Sequence, residues 1–347
     1  MRKPDFERLC TALFCGQPDY VPLMELGIAK NIKEGFLGKP IHSLADEVEF
    51  WQRAGYDYIK LQPKVIFEMP SSTPDMHSDV DEKQTQRKWA AEHFGMISSM
   101  KDAEQYPFPR PQDVDYSIFE EVTRYLPDSM KVIGQYGDIF TMTWVVMGFE
   151  RFSMALFEDT ELVEFLFQKF GEAVYNLFEN MVDFECVRAL WYSDDLAYAE
   201  GLMISPSVYR AYLFPWVRKI GALCRTKGIP FLYHSDGVLF DVLDDLMACG
   251  VNALHPVEPK AMNILELKKK VQGKLCLIGN VDLAYTLTRG TPQETAEEVK
   301  ELLRTVALGG GYVLGSSNSI PDYVKLDNYI AMIETTRNFG KYPIDIP

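Results

Sequence analysis

The residues best suited to chemistry are imidazole and carboxylate groups that follow short apolar runs. In YHSDG, His234 and Asp236 stand two apart and project to one side of an extended strand. Imidazole nitrogen and carboxylate oxygen at that spacing can share one divalent cation, and a catalytic zinc takes a third protein ligand while keeping a position open. That third oxygen is expected from Asp194, Asp195, Glu200 or Glu258, with His234, Asp236 and Glu258 as the leading metal set. Asp194, His234 and Asp236 are the expected catalytic groups. Asp194 and Asp195 are adjacent, so only one faces a common cavity, and the other is expected to be a structural hydrogen-bond partner. A competing account has His234 donating to a neighbouring carboxylate and Asp236 capping a helix near Val238. In HPVEP, Pro256 and Pro259 fix the loop and favour a structural account of His255 and Glu258.

Further polar groups follow other apolar runs. Glu25, Gln62 and Asn318 are expected to meet substrate, and Tyr136, Tyr192 and Asn280 to meet a flat cofactor, although aromatic side chains at such spacings also build cores. Asp282 reads as a helix or turn cap.

These positions share one feature: each lies just beyond a candidate strand. Eight such strands occur: VPLMELGI from Val21, YDYIKLQ from Tyr56, KVIGQYG from Lys131, ALWYSDDL from Ala189, IPFLYHSDG from Ile229, VNALHPVE from Val251, KLCLIGNVD from Lys274 and GYVLGSS from Gly311. Helical spacing fills the intervals. Ser43 caps a helix ending at Gly55, Ser205 and Pro206 open one that closes at Gly228 with Pro215 kinking or dividing it, and Thr291 and Pro292 open one that stops at three glycines. Alternating strands and helices of this kind predict a single α/β domain over residues 1–347, a (β/α)8 TIM barrel. An N-terminal helical lead-in precedes it. A long insertion follows the second strand, over 63–127, with a polar tip.

The 347 residues carry 35 Lys and Arg against 50 Asp and Glu, a net charge of −15 that repels nucleic-acid phosphates and anionic lipid. The six cysteines show no paired spacing and read as reduced thiols. No stretch reaches the roughly 20 apolar residues that cross a bilayer, and the amino terminus does not read as a signal peptide. A cytoplasmic protein without nucleic-acid or membrane partners is expected, with a homodimer among the expected assemblies.

The runs SDDLAYAEGLMISPSVYRAYLFPWVRKI, YHSDG, LIGNVD and GGGYVLGSSNSI, in that order, resemble the uroporphyrinogen decarboxylase superfamily over about 134–321. The resemblance implies a cytoplasmic (β/α)8 barrel with either of two activities: porphyrinogen decarboxylation, or zinc-dependent methyl transfer with a corrinoid. The decarboxylase branch carries an RQAGRY segment, an aspartate after the second strand and a GHGI turn; here MELGIAKN, KLQPK and SSNSI put Glu25, Gln62 and Asn318 near those places. A substrate with several carboxylates needs the missing arginines. The methyltransferase branch, similar to methylcobalamin:coenzyme M enzymes, has His-x-Cys after the fifth strand and a cysteine after the eighth. This chain keeps His234, with Asp236 for the first cysteine and Ser316 or Ser317 for the second.

Oxygen ligands leave an ion more electrophilic than thiolates do. The expected function is therefore metal-assisted methyl transfer between a small O- or N-methylated substrate and a corrinoid protein, with zinc as the metal. The rivals are a carboxy-lyase of the uroporphyrinogen decarboxylase type and a non-catalytic tetrapyrrole or corrinoid binder.

Overall fold

A computed structural model describes residues 3–70, 95–271 and 273–346. Most of the expected polar tip of the insertion lies outside the described residues. The strands are β1 Tyr58–Leu61, β2 Lys131–Gly137, β3 Val187–Ser193, β4 Ala197–Tyr198, β5 Gly201–Leu202, β6 Phe231–His234, β7 Ala253–His255, β8 Cys276–Ile278 and β9 Tyr312–Val313. Seven of them form one parallel curved sheet in the order β1-β2-β3-β6-β7-β8-β9, while β4 and β5 make a separate antiparallel hairpin. The apolar runs suit this arrangement, because a parallel sheet packed on both faces needs near-continuous hydrophobic strands. β6, β7 and β8 are buried at every position.

Seven of the eight expected strands thus appear at their predicted segments, with β3 beginning two residues before its segment at Val187. The eighth, VPLMELGI, forms no regular strand, but it occupies the next place beside β9: Met24 N–H donates to Leu314 O at 2.9 Å, and Leu314 N–H to Pro22 O at 2.9 Å. Between this segment and β1 no backbone ladder runs among the described residues. The Tyr58 hydroxyl bridges the interval instead, accepting from Glu25 N–H at 2.8 Å and donating to Glu25 O at 2.7 Å. The architecture is an α/β fold of the TIM-barrel type.

Helices cover the outer face. Phe6–Leu13 is the lead-in, buried along Phe6, Leu9, Ala12 and Leu13. Leu44–Ala54 and Pro292–Thr305 begin with the capping boxes expected at Ser43 and Thr291, each cap accepting from the backbone three residues on while that residue's carboxylate returns the contact. Pro215 divides its helix: a π-helical turn, Tyr209–Leu213, precedes Phe214–Lys227. The insertion contributes two short helices, Met100–Gln105 and Ser117–Val122. Among the described residues no helix is long and apolar enough to cross a membrane.

Candidate active site

The chain ends of β3, β6 and β7 are brought level by sheet register: Ser193 pairs with His234, and His234 with His255. Their backbones continue to pair past the strands, with Asp194 N–H on His234 O at 3.0 Å and Ser235 N–H on His255 O at 3.1 Å. Gly137, at the end of β2, lies so near β3 that an added Cβ would sit 1.8 Å from Ser193 O. Gly237 has φ +85°, and a Cβ there would stand 2.5 Å from the Ala197 and Tyr198 backbone, so the β4–β5 hairpin lies directly on the loop after β6.

This framework gathers Asp195, His234 and Asp236, with one ligand atom from each lying within 4.8 Å of the others. His234 Nε2 stands 3.8 Å from Asp195 Oδ1 and 4.0 Å from Asp236 Oδ1. Both gaps are too long for hydrogen bonds and of the size that two ligands of one ion span. Asp195 Oδ1 accepts from Asp236 N–H at 2.8 Å, and Asp236 Oδ2 from Asn318 Nδ2 at 2.7 Å, whereas Asp236 Oδ1 is buried without a hydrogen-bond partner among the described residues. A buried carboxylate oxygen without a donor is costly unless a cation meets it. Burial, then the charges of Asp195 and Glu258, push the Asp236 carboxyl well above its usual range. Burial holds the His234 imidazole below its ordinary value, against the opposing pull of Asp195 and Glu258, which keeps a nitrogen lone pair available. One imidazole and two carboxylates therefore fit a divalent ion of zinc type, with a harder donor set than thiolates provide.

Asp236 and Asn318 also line a cavity of about 880 Å³ with Glu258, Lys260, Asp282 and Tyr323. The loops after β6, β7, β8 and β9 supply its wall, at the end of the sheet where enzymes of this architecture place their chemistry.

The family described as uroporphyrinogen decarboxylase (URO-D) matches residues 92–339. The chain belongs to the uroporphyrinogen decarboxylase family. It is 24% identical over 258 residues to uroporphyrinogen decarboxylase of Pseudoalteromonas translucida, covering 70% of each chain. It is 27% identical over 180 residues to a methylcobamide:CoM methyltransferase of Methanosarcina barkeri, covering 48% of this chain and spanning half the length of that relative. In three dimensions it resembles a methyltransferase from Methanosarcina mazei, with a TM-score of 0.69 and 18% identity over 96% of this chain and 98% of the other. That likeness confirms the fold.

Within this uroporphyrinogen decarboxylase-family barrel, the two adjacent aspartates take opposite places from those expected. Asp194 is buried, and its oxygens accept from Phe140 N–H at 2.8 Å, Thr141 N–H at 3.0 Å, Thr141 Oγ1 at 2.7 Å and Tyr192 Oη at 2.7 Å. It anchors the start of the helix Ile139–Met147, and burial lifts its carboxyl to about 6 despite these bonds. Asp195 is the one that joins His234. Alternation along the strand announced that the two would differ without saying which would turn inward. Glu258 lies outside the three-ligand group, because Oε2 accepts from Gly237 N–H at 3.0 Å and Oε1 pairs with Lys260 Nζ at 3.1 Å. Glu200 is outside it too. Asp236 caps no helix at Val238, since the next helix is Leu243–Ala248. Asp282 does cap a turn, accepting from Ala284 N–H and Tyr285 N–H.

The other expected contact residues are spread through the wall. Glu25 is wholly buried and accepts both Ser316 N–H at 2.7 Å and Ser316 Oγ at 2.6 Å, while burial raises its carboxyl to about 8. It has no surface to offer a substrate. Gln62 Nε2 donates to Gln135 Oε1, whose own amide nitrogen donates to Ser193 Oγ at 2.9 Å. Tyr136 and Tyr192 are buried in packing, Tyr136 against Phe67 and Tyr192 against Phe178 and Tyr233, and Asn280 donates to Val257 O at 2.8 Å. None of the three lines the large cavity. His255, read from the sequence as structural, stands against the site with its Nδ1 2.8 Å from His234 Nδ1. One neighbour went unnoticed in the sequence: Lys60 on β1, whose charge reaches both imidazoles.

Proposed function

We propose that the chain is a metal-assisted methyltransferase that moves a methyl group from a small O- or N-methylated compound to a corrinoid carried by a partner protein, with Asp195, His234 and Asp236 as the zinc-binding residues. The observation that carries this reading is the buried Asp236 Oδ1, which has no hydrogen-bond partner among the described residues and faces His234 Nε2 and Asp195 beside an open cavity. The Methanosarcina barkeri relative is named for methyl transfer from a methylcobamide, the opposite sense to the step proposed here, and it supports methyl exchange with a corrinoid. The lining of the cavity supports it as well: Asp236, Glu258, Asp282 and Asp322 outnumber Lys260 and Arg289, an unfavourable setting for a porphyrinogen bearing many carboxylates.

A zinc ion bound by the three residues would supply Lewis acidity toward the heteroatom that loses the methyl group. The chain's own groups do the positioning. Asn318 fixes the Asp236 carboxylate through Oδ2 and leaves Oδ1 facing inward, and the Asp236 N–H holds Asp195 Oδ1 in place. The 880 Å³ cavity admits a small methylated molecule and leaves an open side for the methyl acceptor.

The test is elemental analysis of protein purified without chelators, combined with an absorbance assay for methylcobalamin formation from cob(I)alamin and a panel of methanol, methylamines and methoxybenzenes. Stoichiometric zinc, methyl transfer by the wild type and loss of both in His234→Ala are expected. Wild-type protein free of metal that still transfers methyl groups, or unimpaired transfer by His234→Ala, would overturn the proposal.

A further inference from the structure

We infer that Glu25 is a positioning residue of the metal site: by holding Ser316 it fixes the loop that carries Asn318, and through Asn318 the Asp236 carboxylate. This rests on the metal-binding reading above, with Asp236 as a ligand.

The loop after β9 is tied at both ends to the segment that carries Glu25. At the near end Glu25 meets Ser316 N–H at 2.7 Å and Ser316 Oγ at 2.6 Å. At the far end Ile320 N–H donates to Gly27 O at 2.8 Å, and Ala29 N–H to Ile320 O at 2.7 Å. Ser317, Asn318 and Ser319 lie between these ties, and all three line the cavity. Ser317 braces the loop toward β8, donating its N–H to Val281 O at 2.9 Å and accepting Leu283 N–H on Oγ at 3.0 Å. Ser319 Oγ donates to Asn318 Oδ1 at 3.2 Å, which turns Asn318 Nδ2 to Asp236 Oδ2 at 2.7 Å and leaves Asp236 Oδ1 toward His234.

The near tie is the costly one. Glu25 is wholly buried where backbones pack so closely that a Cβ on Gly315 would stand 2.1 Å from Met24 O and 3.5 Å from Glu25 Oε1. A carboxyl in such a place costs free energy that an apolar side chain of the same size would not. What the carboxyl adds is direction, because two contacts on one residue fix both the backbone and the hydroxyl of Ser316, itself without solvent exposure. Burial lifts the Glu25 carboxyl to about 8, so near neutral pH it is the neutral acid, which both accepts and donates, and glutamine reproduces it. Groups that hold a ligand in place from behind set metal affinity alongside the ligands themselves.

Two measurements test this. In metal-free protein, nuclear magnetic resonance of the Asn318 side-chain amide reports its bond to Asp236. Glu25→Leu, which fills the space but offers Ser316 no acceptor, is expected to shift that signal and speed its exchange with water, while Glu25→Gln leaves it as in the wild type. An unchanged signal in Glu25→Leu, or equal changes in Glu25→Leu and Glu25→Gln, would overturn the inference whether or not the protein binds zinc. Where Glu25→Leu does not fold, Ser316→Ala decides: it removes the hydroxyl contact alone, a smaller shift of the same sign is expected, and no shift would refute the role. In the second measurement, titration calorimetry with zinc chloride compares the wild type with Glu25→Leu, Asn318→Ala and the double variant. Each single change is expected to weaken zinc binding about 10-fold, and the double variant by about 10-fold as well, because the two residues act in series. Independent effects that multiply to about 100-fold would count against the route through Asn318. A wild type that takes up no zinc would instead remove the metal reading itself, leaving the amide signal to decide whether Glu25 positions Asn318.

Discussion

Asp194 and Asp195 differ in one respect that governs everything else about them: the first has four donors and no solvent, while the second is half exposed beside an imidazole. Replacing Asp194 with alanine strands two backbone amides and a phenol in the interior, and is expected to cost about 3 kcal/mol in urea unfolding. Asp195→Ala is expected to change stability by less than about 1 kcal/mol while abolishing zinc uptake. If Asp194→Ala unfolds at the wild-type urea concentration, the anchoring role assigned to it fails. Glu25 gives a second expectation. Its folded value of about 8 exceeds the ordinary 4.5, so unfolding releases a proton between those values, and the group's contribution to stability, complete below pH 4.5, is lost as pH rises through 8. Glu25→Gln keeps both contacts to Ser316 without titrating. From pH 5 to pH 8 the wild type is expected to lose up to roughly 4 kcal/mol more stability than the variant, and parallel pH profiles would contradict this. At this scale the sequence named His234 and Asp236 because residue type and spacing specify a shared face. It could not tell Asp194 from Asp195, because the choice depends on the helix that starts at Ile139.

Elements were more legible than side chains. Ser43 and Thr291 marked helix starts because their carboxylate partners three residues on are a local signal, and Pro215 marked a break because it lacks the amide that a continuous helix needs. In the span VLFDVLDDLMACG, whose apolar residues recur at helical spacing, only Leu243–Ala248 is helix, and the residues before it belong to the loop after β6, where Val238 N–H donates to Tyr198 O at 3.0 Å. That loop is held from above by the β4–β5 hairpin, a two-rung ladder too short for sequence periodicity to reveal. Gly237→Ala would combine a strained φ with a clash against hairpin backbone. It is expected to destabilise the protein by about 2 kcal/mol and to weaken zinc binding as the hairpin shifts, whereas unchanged values in unfolding and calorimetry would show that the two layers are independent.

At the scale of the molecule, eight apolar runs alternating with helical spacing sufficed to forecast the barrel, because that pattern depends on burial on both faces rather than on any one contact. What it could not forecast is how evenly the wall is fastened. The segment carrying Met24 and Glu25 has backbone rungs to β9 on one side only, and on the other relies on the phenol of Tyr58. Local opening should follow that inequality. In Tyr58→Phe the Glu25 amide is expected to exchange with deuterium well before that of Met24, whose carbonyl partner is untouched, and matched exchange at the two positions would count against it. The stave that bears Glu25 would then be the first part of the cylinder to admit water.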